Sequence, residues 1–292
     1  LTQLPNTNKV KEALKKVPFV IVADNLMTST TKYADLVLPV TTIFEDTSLM
    51  AGVRSHYIQL MEKAVEPAGE AKPDYWIFAR LAERFGFGDV FNKPIEHYID
   101  VCLEGTGITR EQLAKGPIKP VEGQWIPFKE GEFRTPTKKA HLFIESWQEK
   151  GYSPVIHYYP VVESPKGSPE LAQKYPLMCV QRKLARSVHS SHGMNEWILE
   201  VQRNQPNVLI NTVDAQQRNI RHGQWVTTYN DRGEHRAIAI VTRQIKQGVV
   251  CLDNGWWEEQ GGSSSHVTND AYEPLGFGHW CKSTLVNVKA EA

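Results

Sequence analysis

The sequence predicts an α/β segment followed by an all-β segment that closes into a barrel. Three observations lead there. Residues 19–23 (FVIVA) and 36–38 (LVL) are short apolar runs on either side of a hydroxyl-rich turn, the pattern of strand, turn, short helix, strand. From Pro176 onward the chain is a series of short β-branched runs with few helical patterns, as in a closed barrel. Between the two, residues 151–174 hold Pro154, Pro160, Pro165 and Pro169, which interrupt both helix and ladder. The expected domains are therefore 1–150 and 175–292, joined by a linker over 151–174.

The elements follow in order. Residues 1–17 are polar and basic and read as an amphipathic lead-in helix. The FVIVA run suits a strand buried on both faces. It ends at Asp24, and Thr28, Ser29, Thr30 and Thr31 follow before the second run stops at Pro39. Residues 43–46 form a turn and 56–60 a strand. A helix starts at Asp74, with Ile77, Leu81 and Phe85 at helical spacing and Gly86 as its stop. Another helix opens at 108–113, and two strand pieces are expected at 133–136 and 141–144. In the second half, strands are expected at 177–181, 208–210, 225–229, 236–242, 248–252 and 283–288. Asn230-Asp231-Arg232-Gly233 forms a hairpin turn between two of them.

Lys+Arg and Asp+Glu balance at 33 each, which excludes nucleic-acid or anionic-membrane binding by net field. No apolar run approaches the roughly 20 residues that span a bilayer, and no signal-peptide pattern is read. Cys102, Cys179, Cys251 and Cys281 lie far apart without a CxxC pair, so no zinc or iron–sulfur site is expected within the chain. Buried thiols are the expectation.

Four places carry possible chemistry. Asp24 ends a strand, where ligands bind in open α/β sheets, or it caps the next helix. Asp74 opens the next long helix as its cap or first-turn acid. His189-Ser190-Ser191-His192 follows Arg182, Lys183 and Arg186. Without a GxSxG elbow, that cluster suits a loop bonding an anion better than acyl or metal chemistry; a solvated basic loop is the plain alternative. In Asn254-Gly255-Trp256-Trp257 the glycine lets a ligand or a backbone approach closely. The polar loop at 261–268 cradles an anion or simply connects.

With these residues in hand, the chain resembles the carboxy-terminal part of the bis-pterin molybdenum or tungsten oxidoreductases, the dimethyl-sulfoxide-reductase family. VIVADNLMTSTTKYADLVLP is similar to that family's strand–Asp segment with T-x-T and A-D before L-P. Glu45-Asp46 and PAGEAKPDYW at 67–76 continue in order. FRTPTKKAHLF at 133–143 is similar to its F-x-T-P-S-G-K-h-E-h segment, departing at Lys138-Lys139-Ala140-His141. NTVDA at 211–215, NIRHGQWVTTYNDRG at 219–233 and KQGVVCLDNGWW at 246–257 look like its final domain.

The resemblance implies a partial Rossmann-like nucleotide-binding α/β domain followed by a double-psi β-barrel. It implies bis(molybdopterin guanine dinucleotide) with Mo or W, and a [4Fe–4S] cluster in the parent but not in this chain. Carried over residue by residue, Asp24 with Ala23 and Thr28 beside it grips a guanine edge, and Asp74 is a second such acid. Asp46 falls at a contact position often occupied by Lys. Gln181, Arg182, Arg186, His189 and Ser190 fall in the loop after the barrel's first strand, which contacts pterin and phosphate. Asn211, Trp257 and Lys282 match further cofactor contacts, and Ser265 stands where the family usually has Asn. A carboxylate can accept both N1–H and N2–H of guanine, and pyrophosphate prefers Arg, Lys and backbone N–H groups.

The family's metal ligand and cluster cysteines come from segments this sequence does not contain, and its first residue is Leu1. The expectation is a cofactor-binding portion, inactive alone, of an oxidoreductase of anaerobic respiration moving two electrons and usually an oxygen atom. Implied partners are the rest of its catalytic subunit, an iron–sulfur electron-transfer subunit and a membrane anchor. The parent's expected location is the periplasm or the outer face of the cytoplasmic membrane. The alternatives are a non-catalytic barrel module that has lost the pterin and a non-redox hydratase or transhydroxylase of the same family.

Overall fold

The second half closes on itself because its strands pair at both edges. The computed structural model describes residues 1–52, 55–123, 126–185, 188–191, 193–273, 276–280 and 283–291. In chain order the elements are α1 (Thr7–Leu14), β1 (Ile21–Asp24), β2 (Leu36–Pro39), β3 (Ser48–Ala51), β4 (Ile58–Met61), α2 (Asp74–Arg84), α3 (Gly88–Phe91), α4 (Ile95–Leu103), α5 (Arg110–Leu113), α6 (Glu145–Glu149), α7 (Pro169–Lys174) and β5 (Leu177–Arg182). There follow α8 (Glu196–Val201), β6 (Asn207–Asn211), α9 (Thr212–Gln217), β7 (Trp225–Asn230), β8 (Gly233–Thr242), β9 (Val249–Asp253) and β10 (Thr284–Ala290). Strands β5 to β10 form a closed barrel in the order β10-β5-β9-β6-β8-β7. Closure removes the open edges that invite aggregation. By contacts the chain divides into two units, one of 1–20, 27–35 and 158–292, the other of 21–26 and 36–157.

In the barrel unit, β5 with β9 and β6 with β8 pair in parallel, and the remaining neighbours pair antiparallel. Alternation fills the interior: in β6 Val208 and Ile210 are buried while Leu209 is not. These two join Leu177, Val226, Ala239, Val250, Leu252 and Val286 in one apolar cluster. Each expected strand of this half is present: β8 begins three residues before its expected run, β9 is shifted by one, and the bounds of the others differ by one or two residues. The β7–β8 hairpin turns at Asn230–Gly233, and the Asn230 amide donates to the carbonyls of Val267 (2.7 Å) and Leu285 (3.1 Å). The lead-in helix α1 is held by the Asn6 side chain, which accepts from the Lys9 N–H. Its Lys9 pairs with Asp270 at 2.6 Å and its Lys11 with Glu258.

The proline-rich segment is tied to the barrel at Glu163 and, by an ion pair to Asp231, at Lys174. Glu163 is 7% exposed and accepts both terminal nitrogens of Arg232, at 2.7 and 2.8 Å, and the Leu285 N–H at 3.1 Å. Cys179 and Cys251 are buried free thiols on adjacent strands, and burial pushes the Cys179 thiol up to about 12. His235 is wholly buried beside Thr228, its cross-strand partner. Burial and then the neighbouring His266 push its imidazole down to about 4.

In the other unit, β1 and β2 are parallel, with Asp24 opposite Pro39. The expectation that this strand is buried on both faces is not met. Ile21 is 46% exposed and its burial alternates, because β2 is the only strand paired with it among the described residues. Strands β3 and β4 form an antiparallel pair, and their Leu49, Ile58 and Leu60 pack on Ile99, Leu103 and Leu113 of α4 and α5. The α5 turn opens with a capping box of Thr109 and Gln112. In α2 the buried residues are Ala79 and Ala82, while Phe85 is 72% exposed. The expected strand pieces at 133–144 are turns instead: Thr135 to Lys138 closes one, and Lys138 has φ 59°.

Two outcomes follow. His235 is neutral in the fold and titrates near its ordinary value of about 6.5 when unfolded. The unfolded chain therefore takes the proton first, and stability falls as pH drops from about 6.5 to about 4, by at most about 3 kcal/mol. Chemical denaturation across that range should show the slope, and His235→Leu should flatten it. Glu163→Ala leaves Arg232 without its buried partner and should cost about 3–5 kcal/mol, read as a lowered denaturation midpoint.

Candidate functional site

Two strands that end side by side carry the loops of the barrel site. Arg182 closes β5 and Asp253 closes β9, and the two are register partners. Asp253 is fully buried and accepts Arg182 Nε at 2.6 Å, the Asn207 backbone N–H at 3.0 Å and the Asn207 amide at 3.1 Å. Asn254 continues the pairing, donating its N–H to the Arg182 carbonyl (3.0 Å) and its amide to Gln181 Oε1 (3.2 Å).

Beyond this root the loops from β5 and β9 face each other. Gly255 has φ 100°, and a Cβ there would stand 1.9 Å from the His189 carbonyl oxygen. The close approach expected at this glycine is therefore to a backbone, not to a ligand. Trp257 is 5% exposed and donates its indole N–H to the Ser190 carbonyl at 2.9 Å. Behind them the 3-10 turn Ser264–His266 brings Ser265, whose hydroxyl donates to the Thr2 carbonyl at 2.8 Å. His266 bridges the Ser263 carbonyl (2.9 Å) and Glu258 (3.0 Å).

These segments enclose a cavity of about 540 Å³. Its lining includes Thr2, Gln3, Gln181, His189, Ser190, Ser191, Asn254, Ser265 and Thr268. Among the described residues that lining holds hydroxyl, amide and imidazole groups and no carboxylate. Such a donor set suits an uncharged heterocycle or an anion and repels neither.

Of the residues expected here from sequence, Gln181, His189, Ser190 and Ser265 line this cavity. Arg182 stands at the root of the loop and is engaged with Asp253. Trp257 lies beneath the loop. Asn211 caps α9, accepting the Val213 N–H (2.9 Å) and donating to the Ile245 carbonyl (2.7 Å). Arg186, Lys282 and His192 lie outside the described residues. Among the described residues no three His, Cys, Asp or Glu side chains converge as a metal site. Thr2, Gln3 and Thr268 were not foreseen. A contact spanning 263 residues, from Ser265 to Thr2, leaves no local pattern to read.

The other unit holds a second group. Asp24 stands at the carboxyl end of β1 and accepts the Leu26 N–H at 3.3 Å. It caps no helix: the 3-10 turn that follows, Thr31–Tyr33, has Thr30 at its N-cap. Ala23 beside it is exposed. Asp74 is the first residue of α2, with Pro73 at the cap position, so it serves the helix as a first-turn acid. Asp46 accepts the Thr47 N–H at 2.7 Å. Burial, and behind it the charge of Asp74, raise its carboxyl above the usual range. Thr28 lies in the barrel unit, where its carbonyl accepts from the Thr31 N–H and hydroxyl.

Two family models match the chain, molybdopterin oxidoreductase over residues 1–84 and the molybdopterin dinucleotide binding domain over 177–285. The chain belongs to the molybdopterin oxidoreductase family. It is 33% identical to the probable oxidoreductase YyaE of Bacillus subtilis, over 99% of this chain and 43% of that protein. It is 28% identical to the dimethyl sulfoxide reductase DmsA of Haemophilus influenzae, over 98% of this chain and 40% of that one. In fold it is similar to the acetylene hydratase of Pelobacter acetylenicus, with a TM-score of 0.82 and 22% identity over 99% of this chain and 42% of that one. The chain thus spans about two fifths of the length of the relatives it matches. The cavity at the root of β5 and β9 lies within the segment matched as the dinucleotide-binding domain, apart from its Thr2, Gln3 and Pro5 wall.

The Asp46–Asp74 repulsion makes a testable statement. A carboxyl raised by burial and by a like charge is worse in its charged form, so it lowers stability at neutral pH. Asp46→Asn keeps the acceptor for Thr47 and removes the charge. It should raise the melting temperature at pH 7 modestly. The gain should fade as the pH falls and Asp46 itself takes up a proton. Scanning calorimetry at neutral and acid pH checks this.

Proposed function

We propose that this chain grips a molybdopterin guanine dinucleotide, as the cofactor-binding portion of a bis-dinucleotide molybdenum or tungsten oxidoreductase. The observation that carries the reading is the polar, carboxylate-free cavity between the β5 and β9 loops. In this reading the barrel is of the double-psi kind and covers the pterins. Residues 1–150 supply part of a Rossmann-like domain that holds the guanine ends, and 151–174 join the two. Gln181, His189, Ser190 and Ser265 would face the pterin and phosphate groups. Asp24 and Asp74 would each accept the N–H pair of a guanine.

When bound, the metal–pterin group supplies two-electron chemistry, usually with transfer of an oxygen atom. What this chain's own residues do is bind, orient and exclude water. Hydroxyls and amides bond the ligand's polar edges, and the two acids, Asp24 at a strand end and Asp74 at a helix start, select guanine over adenine, which lacks the donor pair. The family relationship supports the oxidoreductase reading. Relatives named as a catalytic subunit or subunit alpha support an electron-transfer partner, for which we propose an iron–sulfur subunit with a membrane anchor. An iron–sulfur cluster elsewhere in the parent and a site at the outer face of the cytoplasmic membrane belong to the same proposal.

The test uses Asp24→Asn and Asp74→Asn in the cofactor-loaded protein. At Asp24 the Asn oxygen still accepts the Leu26 N–H, and at Asp74 the change removes a charge that raises Asp46, so neither variant should lose much folding stability. Toward guanine, each change sets a donor against a donor. Hydrogen bonds to charged groups are worth roughly 1.5–3 kcal/mol, so affinity should fall by about one to two orders of magnitude. Guanine nucleotide released by acid is the readout. Full retention by both variants would refute the guanine assignment.

A further inference from the structure

We infer that Gly255, Trp257 and Gln260 are positioning residues that set the backbone of residues 188–191, which line the cavity, and of Gly193. The inference rests on the dinucleotide reading above and adds to it how the loop acquires its shape. The segment from Asn254 to Gln260 meets that loop at successive carbonyls. Gly255 abuts the His189 carbonyl, the Trp257 indole N–H bonds the Ser190 carbonyl at 2.9 Å, and the Gln260 amide bonds the Gly193 carbonyl. Gln260 in turn is fixed by the Trp257 N–H, which donates to its Oε1 at 3.0 Å.

The fit is tight from both sides. A Cβ on Gly193 would lie 2.9 Å from Trp257 Nε1, and one on Gly255 only 1.9 Å from the His189 oxygen. His189 itself has φ 55°, a conformation that a non-glycine residue keeps only when its surroundings impose it. The loop has little support of its own, the Ser191 N–H to the Val188 carbonyl at 2.9 Å being its internal backbone bond among the described residues. Trp257 and Gln260 therefore act on a ligand through the loop: their polar atoms are spent on loop carbonyls, and neither side chain lines the cavity.

The experiment compares Trp257→Phe, Gln260→Ala and the double variant with the unchanged protein. Each removes one donor to the loop, and a melting temperature within a few degrees of wild type verifies the fold. Amide hydrogen exchange at Ser190 and Ser191 should speed up at least about tenfold in each. Retained guanine nucleotide should fall about tenfold in each single variant. Because both residues act through one loop, the double variant should lose little more than the worse single one. Losses that multiply to about a hundredfold would mean independent contacts with the ligand and overturn the positioning role. Unchanged loop exchange would overturn it as well. If the unchanged protein retains no guanine nucleotide, the dinucleotide reading falls, and the exchange rates alone then decide whether the clamp exists.

Discussion

Everything at the barrel end depends on one buried carboxylate. Asp253 has no exposure, and an ionised group in that position costs several kcal/mol unless donors surround it. Three do: Arg182 Nε on β5 and two nitrogens of Asn207 on β6. Strand β9 lies between those two strands, so a single side chain ties three neighbours at the point where the site loops begin. The requirement to satisfy Asp253 thereby fixes where both loops depart. Arg182 serves this purpose through its Nε, which donates to Asp253.

The same logic of obligatory partners holds the barrel's other attachments. Glu163 brings the proline-rich stretch itself onto the β7–β8 hairpin through a forked pair with Arg232. The forked geometry matters because guanidinium and carboxylate are both planar and meet in two parallel bonds. The lead-in helix is held by ion pairs from its Lys9 and Lys11 to Asp270 and Glu258, far from it in sequence. The first twenty residues thus associate with the barrel unit, and the cavity wall at Thr2 and Gln3 is one consequence.

The α/β unit holds one unfavourable pair of acids. Burial and, less strongly, the charge of Asp74 raise the Asp46 carboxyl, while Asp100, Glu66 and Glu83 pair with Arg110, Lys63 and Arg80. Stability would favour a neutral residue at Asp46.

The sequence by itself determined the α/β-then-barrel order, every barrel strand, the hairpin at 230–233 and the family. Those features are local: alternation along a strand, turn chemistry and motif order all lie within a few residues. It also picked out Gly255 as a close approach, since only glycine tolerates one. Tertiary structure decided what was approached, namely the His189 backbone, and set the Trp257 indole N–H on the Ser190 carbonyl. It decided that Asn211 caps a helix, that Asp24 does not, and that Thr2 shares a cavity with Ser265. It also left β1 half exposed, where its composition suggests full burial. In each case the cause is a partner distant in the chain, and a hydrogen bond or a burial depends on that partner rather than on the residue's own neighbours.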